Sequence, residues 1–274
     1  MNAAGGDDEA GFLVLTEKIA RERRFACGSY KDRCLRRRIA VRMRACRMAG
    51  YAEYAAHLDA DPEEWDKLLD ALTINVTKFF RNPDVYESLA NVVVPALWAR
   101  PDSTVRVWSA GCSSGEETYS LAILFHRYAA ARGELDRLSR VEVLGTDIDL
   151  RSLAAAAVGS YAAPAFTDTP PEIRETYFSS GEPASVIPAV RAITRFAKRD
   201  LLNEPAPRGA FHLVVCRNVM IYFDRESQDR LVSRFHAALV PGGFLALGKT
   251  ETLFGSLRDR FVTLKQRERL YRRA

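Results

Sequence analysis

No stretch of this sequence approaches the roughly 20 consecutive apolar residues that span a bilayer, so no membrane insertion is expected. Residues 1–10 are small and acidic, without the basic-then-apolar order of a secretory signal. Export is therefore not expected, and these residues read as a frayed tail. Cysteine is sparse. Cys27, Cys34, Cys46, Cys112 and Cys216 include no C-x-x-C spacing, which argues against a zinc clip or a redox pair. An odd number in a chain not expected to be exported points to reduced thiols and a cytoplasmic setting. The histidines, His57, His126, His212 and His236, stand far apart and form no H-E-x-x-H pair, so no metal site is expected. Internal repeats and extended low-complexity tracts are also missing.

What is present suits one or two globular domains. The chain has 274 residues, with 47% hydrophobic and 27% charged. A net charge of +5 is modest over the whole length and informative only where it concentrates. It concentrates in residues 32–48. At 3.6 residues per turn Leu35, Ile39, Met43 and Cys46 fall on one side of a helix. Arg33, Arg36, Arg37, Arg44 and Arg47 fall roughly opposite. Such a face can simply be solvated. The weak compensation by acids points instead to a docking surface, since each guanidinium is a rigid fork suited to carboxylates.

Residues 11–72 carry a helical pattern throughout, and a small all-helical domain is predicted there. Asp61 is placed to cap a helix whose first position is Pro62 and whose apolar stripe is Trp65, Leu68, Leu69 and Leu72. A polar linker, 73–84, leads to a second domain over 85–274. There the pattern alternates. Strands are expected at 105–109, 141–146, 211–216 and 243–247, and helices at 116–131, 149–157 and 226–239. A closing antiparallel pair is expected at 261–265 and 269–272. Alternation of this kind predicts an α/β fold with a mostly parallel sheet covered on both faces. Residues 159–197, interrupted by prolines, read as an inserted lobe.

Ligands of open parallel sheets bind beyond the carboxyl ends of the strands. The first such end reads Ala110-Gly111-Cys112-Ser113-Ser114-Gly115-Glu116-Glu117. Small residues admit a ligand close to the backbone. This is not G-x-G-x-x-G, and the two glutamates would repel phosphate but favour an ammonium or sulfonium charge. S-adenosylmethionine is thus preferred to a dinucleotide. A plain strand-to-helix turn would look similar. The second end, Thr146-Asp147-Ile148-Asp149, offers Asp147 for ribose hydroxyls and Asp149 as a helix cap. The third, Cys216-Arg217-Asn218-Val219-Met220-Ile221-Tyr222-Phe223, sets polar groups just past a buried strand, where they are costly unless used.

With these segments the chain resembles the chemotaxis receptor glutamate methyltransferases of the CheR type over nearly its whole length. The likeness also includes Leu72-Thr73-Ile74-Asn75-Val76-Thr77-Lys78-Phe79-Phe80-Arg81, with weaker matches at Pro241-Gly242-Gly243 and 248–253. The resemblance implies an N-terminal helical domain joined to a class I S-adenosylmethionine-dependent methyltransferase domain, Rossmann-like, with a small inserted lobe. It implies that Asn75, Thr77 and Arg81 approach the cofactor from the linker. Glu117 would meet its amino-acid end, Asp147 its ribose, and Asp200 and Leu201 its adenine, with Asn218 and Val219 also in the pocket. Arg81 and Tyr222 would stand at the transfer point. Asp200 occupies a place where the family commonly has asparagine, and Thr118 a place where it commonly has proline.

The implied reaction passes a methyl group to glutamate carboxylates of methyl-accepting chemotaxis receptors, leaving S-adenosylhomocysteine. The arginine helix would dock the receptor's acidic cytoplasmic domain, with the enzyme a monomer and no nucleic acid involved. Two other readings compete: a nucleic-acid methyltransferase, which lacks an N/D-P-P-Y-type tetrad here, and a catalytically silent S-adenosylmethionine sensor.

Overall fold

The computed structural model describes residues 3–73, 75–101 and 104–274, with side chains from residue 8 onward. The chain divides into two compact units. One comprises Met1–Asn75 with Tyr222–Gln228, the other Val76–Ile221 with Asp229–Ala274.

The first unit is helical: α1 (Ala3–Arg23), α2 (Asp32–Ala45), α3 (Tyr51–Ala60) and α4 (Pro62–Leu72). The apolar stripe of α2 does what its spacing predicts, burying Leu35, Ile39 and Met43. In α4 the Asp61 carboxylate accepts the Glu63 N–H at 3.0 Å and Pro62 opens the helix. These stripes close on Phe12, Leu15, Ile19, Tyr54, Leu58, Trp65 and Leu68. Among the described residues of this unit one charged residue is buried. Glu64 is 1% exposed, and its carboxylate accepts Arg42 Nε at 2.9 Å, Arg42 Nη2 at 2.7 Å and the Tyr54 hydroxyl at 2.7 Å. Burial pushes the Glu64 carboxyl up, but these bonds outweigh it and hold it below the usual range.

The second unit is built on a seven-stranded sheet. In chain order its strands are β1 (Val105–Ala110), β2 (Val141–Asp147), β5 (Thr194–Lys198), β6 (Phe211–Cys216), β7 (Leu239–Leu247), β8 (Phe261–Lys265) and β9 (Leu270–Arg273). The order across the sheet is β5-β2-β1-β6-β7-β9-β8. The first five are parallel, and β9 and β8 close the edge antiparallel. All six residues of β6 are buried, as a central parallel strand requires.

Two expectations need correction. The inserted lobe is shorter than 159–197, because β5 lies in the main sheet, pairing with β2 from Val143↔Thr194 to Asp147↔Lys198. Its charged, partly exposed alternation suits an edge strand and hid it among the prolines. What remains of the lobe holds a two-stranded ribbon, β3 (Ser160–Tyr161) and β4 (Ala184–Ser185). The second correction concerns Pro241-Gly242, expected as a turn before the seventh strand. The strand runs through both residues, with a register shift in its pairing to β6, and a proline is tolerated at such an irregularity.

The linker is pinned by its two phenylalanines. Phe79 is wholly buried in the lobe's aromatic cluster, stacked on Phe166 at 5.2 Å and edge-on to Tyr161 and Phe178. Its N–H donates to the Ala165 carbonyl. Phe80 turns the other way, onto Tyr86. Phe80 and Asn82 both have left-handed backbones, at φ 52° and 63°. Arg81 therefore sits between two left-handed residues in a turn whose phenylalanines are packed into the core.

Candidate functional site

The sheet's order reverses between β1 and β6, which makes their carboxyl ends the expected crevice. The turn after β1 is tight because Gly111 and Cys112 both donate their N–H to the Thr146 carbonyl, at 2.8 and 3.0 Å. A side chain at Gly111 is excluded twice over. Its φ is +80°, and a Cβ would stand 2.5 Å from Val219 Cγ2 on the neighbouring turn. Asp147, at the end of β2, accepts the Ser113 N–H at 2.8 Å through Oδ2 and the Asp149 N–H at 3.0 Å through Oδ1. It shapes the turn and keeps unused lone pairs on both oxygens. The Ser113 hydroxyl beside it is buried with no partner in the protein. Asp149 caps the next helix, accepting the Arg151 N–H.

The turn after β6 rests on a residue that sequence reasoning did not select. Glu251, 4% exposed, accepts the N–H groups of Asn218 (3.1 Å), Val219 (3.0 Å) and Gly248 (2.6 Å). Gly248 is favoured by this close approach, since a Cβ there would lie 2.8 Å from the Asn218 backbone nitrogen and 2.6 Å from Glu251 Oε2. Asn218 takes the left-handed φ of 62° that asparagine tolerates. Arg217 was legible only as a polar residue past a buried strand. Its side chain is 2% exposed, and Nη2 donates to the Arg81 carbonyl (2.7 Å) and to Asn82 Oδ1 (2.8 Å). Its Nη1 stands 3.6 Å from Glu117 Oε2. Glu117 also accepts the Ser109 hydroxyl at 2.8 Å.

Arg81 itself spends one donor, Nη1, on the Val76 carbonyl at 2.9 Å. Arg81 and Thr77 line a cavity of about 770 Å³ with Ser114, Glu116, Tyr161 and the Lys78–Asp168 ion pair. Glu116 is 4% exposed, and both its oxygens depend on the Ser114 hydroxyl. Four carboxylates thus crowd the sheet end. Burial raises the pKa of Glu116, Glu117, Asp147 and Glu251; Arg217 partly opposes it at Glu117, and backbone N–H bonds do so at Asp147 and Glu251.

Residues 75–270 match the family described as CheR methyltransferase, SAM binding domain, and residues 10–73 match CheR methyltransferase, all-alpha domain. The chain belongs to the CheR methyltransferase family. A chemotaxis protein methyltransferase of Listeria monocytogenes is 33% identical over 248 residues, covering 90% of this chain and 92% of that one. Chemotaxis protein methyltransferase 2 of Pseudomonas aeruginosa is 33% identical over 247 residues, covering 88% and 85%. An uncharacterized 104.1 kDa protein of Rhodobacter capsulatus is 36% identical over 245 residues, 88% of this chain. The chain spans only 25% of that longer relative. Among solved structures, a TehB-like SAM-dependent methyltransferase from Corynebacterium glutamicum aligns with 70% of this chain and 97% of its own, at TM-score 0.38 and 16% identity.

For a CheR methyltransferase the cofactor is S-adenosylmethionine, and the residues present fit it. The carboxylates of Glu116, Glu117, Asp147 and Glu251 at the sheet end can compensate a sulfonium and an ammonium, while in the cavity itself Lys78 is balanced by Asp168 and Arg81 lies with Glu116. The orphaned Ser113 hydroxyl and the spare lone pairs of Asp147 suit ribose-like hydroxyls. Asp200 is less available than expected. Its Oδ1 accepts the N–H groups of Leu202 (2.8 Å) and Asn203 (3.1 Å), and Oδ2 accepts Asn203 Nδ2 (2.7 Å). An aspartate here secures its own turn, leaving buried Leu201 as the apolar surface beside it.

Of the expected site residues, the second unit holds Thr77, Arg81, Glu117, Asp147, Asp200, Leu201, Asn218 and Val219. Asn75 and Tyr222 belong to the helical unit. There the Tyr222 carbonyl accepts the Lys31 N–H at 2.9 Å, and the Arg38 guanidinium lies 5.7 Å over its ring. The arginines expected on one helix face are not equivalent. Arg36 pairs with Glu9 at 2.6 Å and lies 3.7 Å over Phe12, whereas Arg33, Arg37 and Arg44 are exposed on α2; Arg47, also exposed, lies beyond the helix end at Ala45, at a left-handed φ of 59°. At 100° per residue, Arg33, Arg37 and Arg44 share an arc of about 40°. In the same unit Cys46, His57 and Glu64 bring potential ligand atoms within 4.8 Å of one another. The Glu64 oxygens are already committed to Arg42 and Tyr54, so a cation there would have to displace them.

Proposed function

We propose that this chain transfers the methyl group of S-adenosylmethionine to glutamate side-chain carboxylates of methyl-accepting chemotaxis receptors, giving glutamate methyl esters and S-adenosylhomocysteine. The observation that carries this reading is the acid-walled sheet end beside Arg81, which among the described residues has donors to spare, whereas Arg217 is committed to the Arg81–Asn82 turn. When bound, the cofactor supplies an electrophilic methyl carbon on a positively charged sulfur. Glu117 and Asp147 hold its ammonium and ribose ends, Asn218 and Val219 flank it, and Thr77 and Asn75 reach it from the linker. Leu201 packs beside the adenine, and Asp200 braces that turn.

The acceptor needs no base. A glutamate carboxylate with an unperturbed pKa of ~4.3 is already ionised at neutral pH. The protein's task is to align acceptor oxygen, carbon and sulfur, which can supply roughly 7–11 kcal/mol in favourable cases. Arg81 has five N–H donors and uses one, so it can grip a carboxylate with a two-pronged bond. Tyr222 positions the acceptor. Arg33, Arg37 and Arg44 dock an acidic receptor helix, with Arg36 and Arg47 at the margins. The same reading has the enzyme working as a monomer in the cytoplasm, with no nucleic-acid partner; among the described residues no helix is long and apolar enough to cross a membrane.

The test is direct. Purified chain, methyl-labelled cofactor and receptor cytoplasmic fragments are incubated together, and the receptor is then treated with base. Release of the label as methanol is the expected result. A base-stable label, or a folded chain that binds neither S-adenosylmethionine nor S-adenosylhomocysteine by calorimetry, sinks the proposal.

A further inference from the structure

We infer that Arg217 is a positioning residue that sets where Arg81 stands, by clamping the backbone of the Arg81–Asn82 turn against the end of β6. The inference rests on the proposed role of Arg81 at the cofactor.

Arg217 is a poor device for stability alone. It is buried, its Nε finds no partner, and its nearest carboxylate, Glu117, is 3.6 Å away rather than in a forked pair. A buried arginine so incompletely satisfied is often no better than an apolar residue of the same volume. Its two short bonds both go to the same place, the Arg81 carbonyl and Asn82 Oδ1. That turn is strained, with left-handed residues on both sides of Arg81, and such geometry persists only where its surroundings over-determine it. Three anchors do so here. Phe79 is locked in the lobe, the Phe80 N–H donates to the Ser120 hydroxyl at 3.1 Å, and Arg217 closes the far side. Because the Arg217 fork faces the Arg81 turn through Nη2 and Glu117 through Nη1, one planar group fixes the spacing between two proposed cofactor contacts. Lysine, a point donor without a fork, cannot do this.

The experiment measures S-adenosylhomocysteine affinity by calorimetry for the wild type, Arg217→Lys, Arg81→Ala and the double variant, with thermal unfolding recorded for each. If Arg217 acts through Arg81, Arg217→Lys weakens binding about tenfold alone but less than about twofold in the Arg81→Ala background, the non-additivity expected of coupled residues. The same full loss in both backgrounds overturns the inference. So does a folded Arg217→Lys that binds like the wild type. A second variant covers the case in which Arg217→Lys does not fold. Asn82→Gly accepts the left-handed φ without strain and removes the side chain whose oxygen Arg217 uses, so it stays folded with a small fall in its unfolding midpoint and loses affinity about threefold, of the order of one hydrogen bond. Unchanged affinity in Asn82→Gly contradicts the clamp. Failures are separable. A wild type without affinity, or an Arg81→Ala that binds normally, removes the cofactor reading and the inference with it. Loss in Arg81→Ala with none in Arg217→Lys removes the clamp alone.

Discussion

In the helical unit Arg42 meets Glu64 through two bonds of 2.9 and 2.7 Å, and Tyr54 adds a third. In the methyltransferase unit Arg217 stands 3.6 Å from Glu117, and among the described residues only Ser109 bonds that carboxylate at short range. Both glutamates are largely withdrawn from water, yet they titrate in opposite directions. Glu64 is held below the usual carboxylate range because its bonds outweigh burial. Glu117 is raised because burial prevails over Arg217, the Ser109 bond and the more distant Arg81. A saturated pair is finished and can only hold the fold. An unsaturated one retains acceptor capacity at a sheet end where a cationic ligand would complete it.

The largest effect should come from opening the closed pair. Arg42→Ala leaves Glu64 buried without its cation and is expected to destabilise the chain by about 3–5 kcal/mol in denaturant titrations. A loss under about 1 kcal/mol, the worth of an exposed pair, would break the comparison. Next comes Arg81→Ala, with a fall of about 100-fold in kcat/KM, or roughly 2.7 kcal/mol, and an unchanged unfolding midpoint. Near-normal turnover by the folded variant would remove Arg81 from the site. Reversing two exposed charges, Arg37→Glu with Arg44→Glu, should raise KM for the receptor about tenfold at low salt and leave KM for the cofactor alone. Equal shifts in both constants would mean the helix is only a solvated face. Tyr222→Phe keeps the ring and should cost less than about fivefold in kcat, in line with one lost hydrogen bond; a larger loss than in Arg81→Ala would reverse their ranks.

The smallest effect is in the pH dependence of stability. Glu64 has a folded pKa below its unfolded one, so its contribution is present above the unfolded glutamate range and fades as pH falls through the folded value. Glu117 has a folded pKa above its unfolded one. Its contribution is present below the unfolded value and fades as pH rises through the folded value. Glu64→Gln should therefore flatten the acid limb of the stability profile, and Glu117→Gln the decline toward neutral pH. The same limb flattened by both substitutions would show that the two pairs do not differ.

Much of this was readable in the residues. The helix caps, the apolar stripes and the strands at 211–216 and 261–265 follow from local chemistry, and β6 and β8 have those bounds. The acidic turn after β1 was legible because its residues are contiguous. Glu116 was read only as part of that turn, and Arg217 and Glu251 were not selected, since nothing nearby in sequence shows what those two touch. Glu251 serves amides 32 and 33 residues away, and Arg217 a carbonyl 136 residues away. The edge strand β5 was missed because its pattern satisfies no core of its own and is defined only by pairing with β2.

By itself, the order of residues determined which segments become helices and strands, and that acids rather than glycine-rich amides follow the first strand, because periodicity, caps and turn chemistry act over a few residues. Which carboxylates are saturated and which remain open was decided only by the tertiary structure. That depends on where a distant arginine comes to rest, and no local propensity sets a separation of 2.7 rather than 3.6 Å.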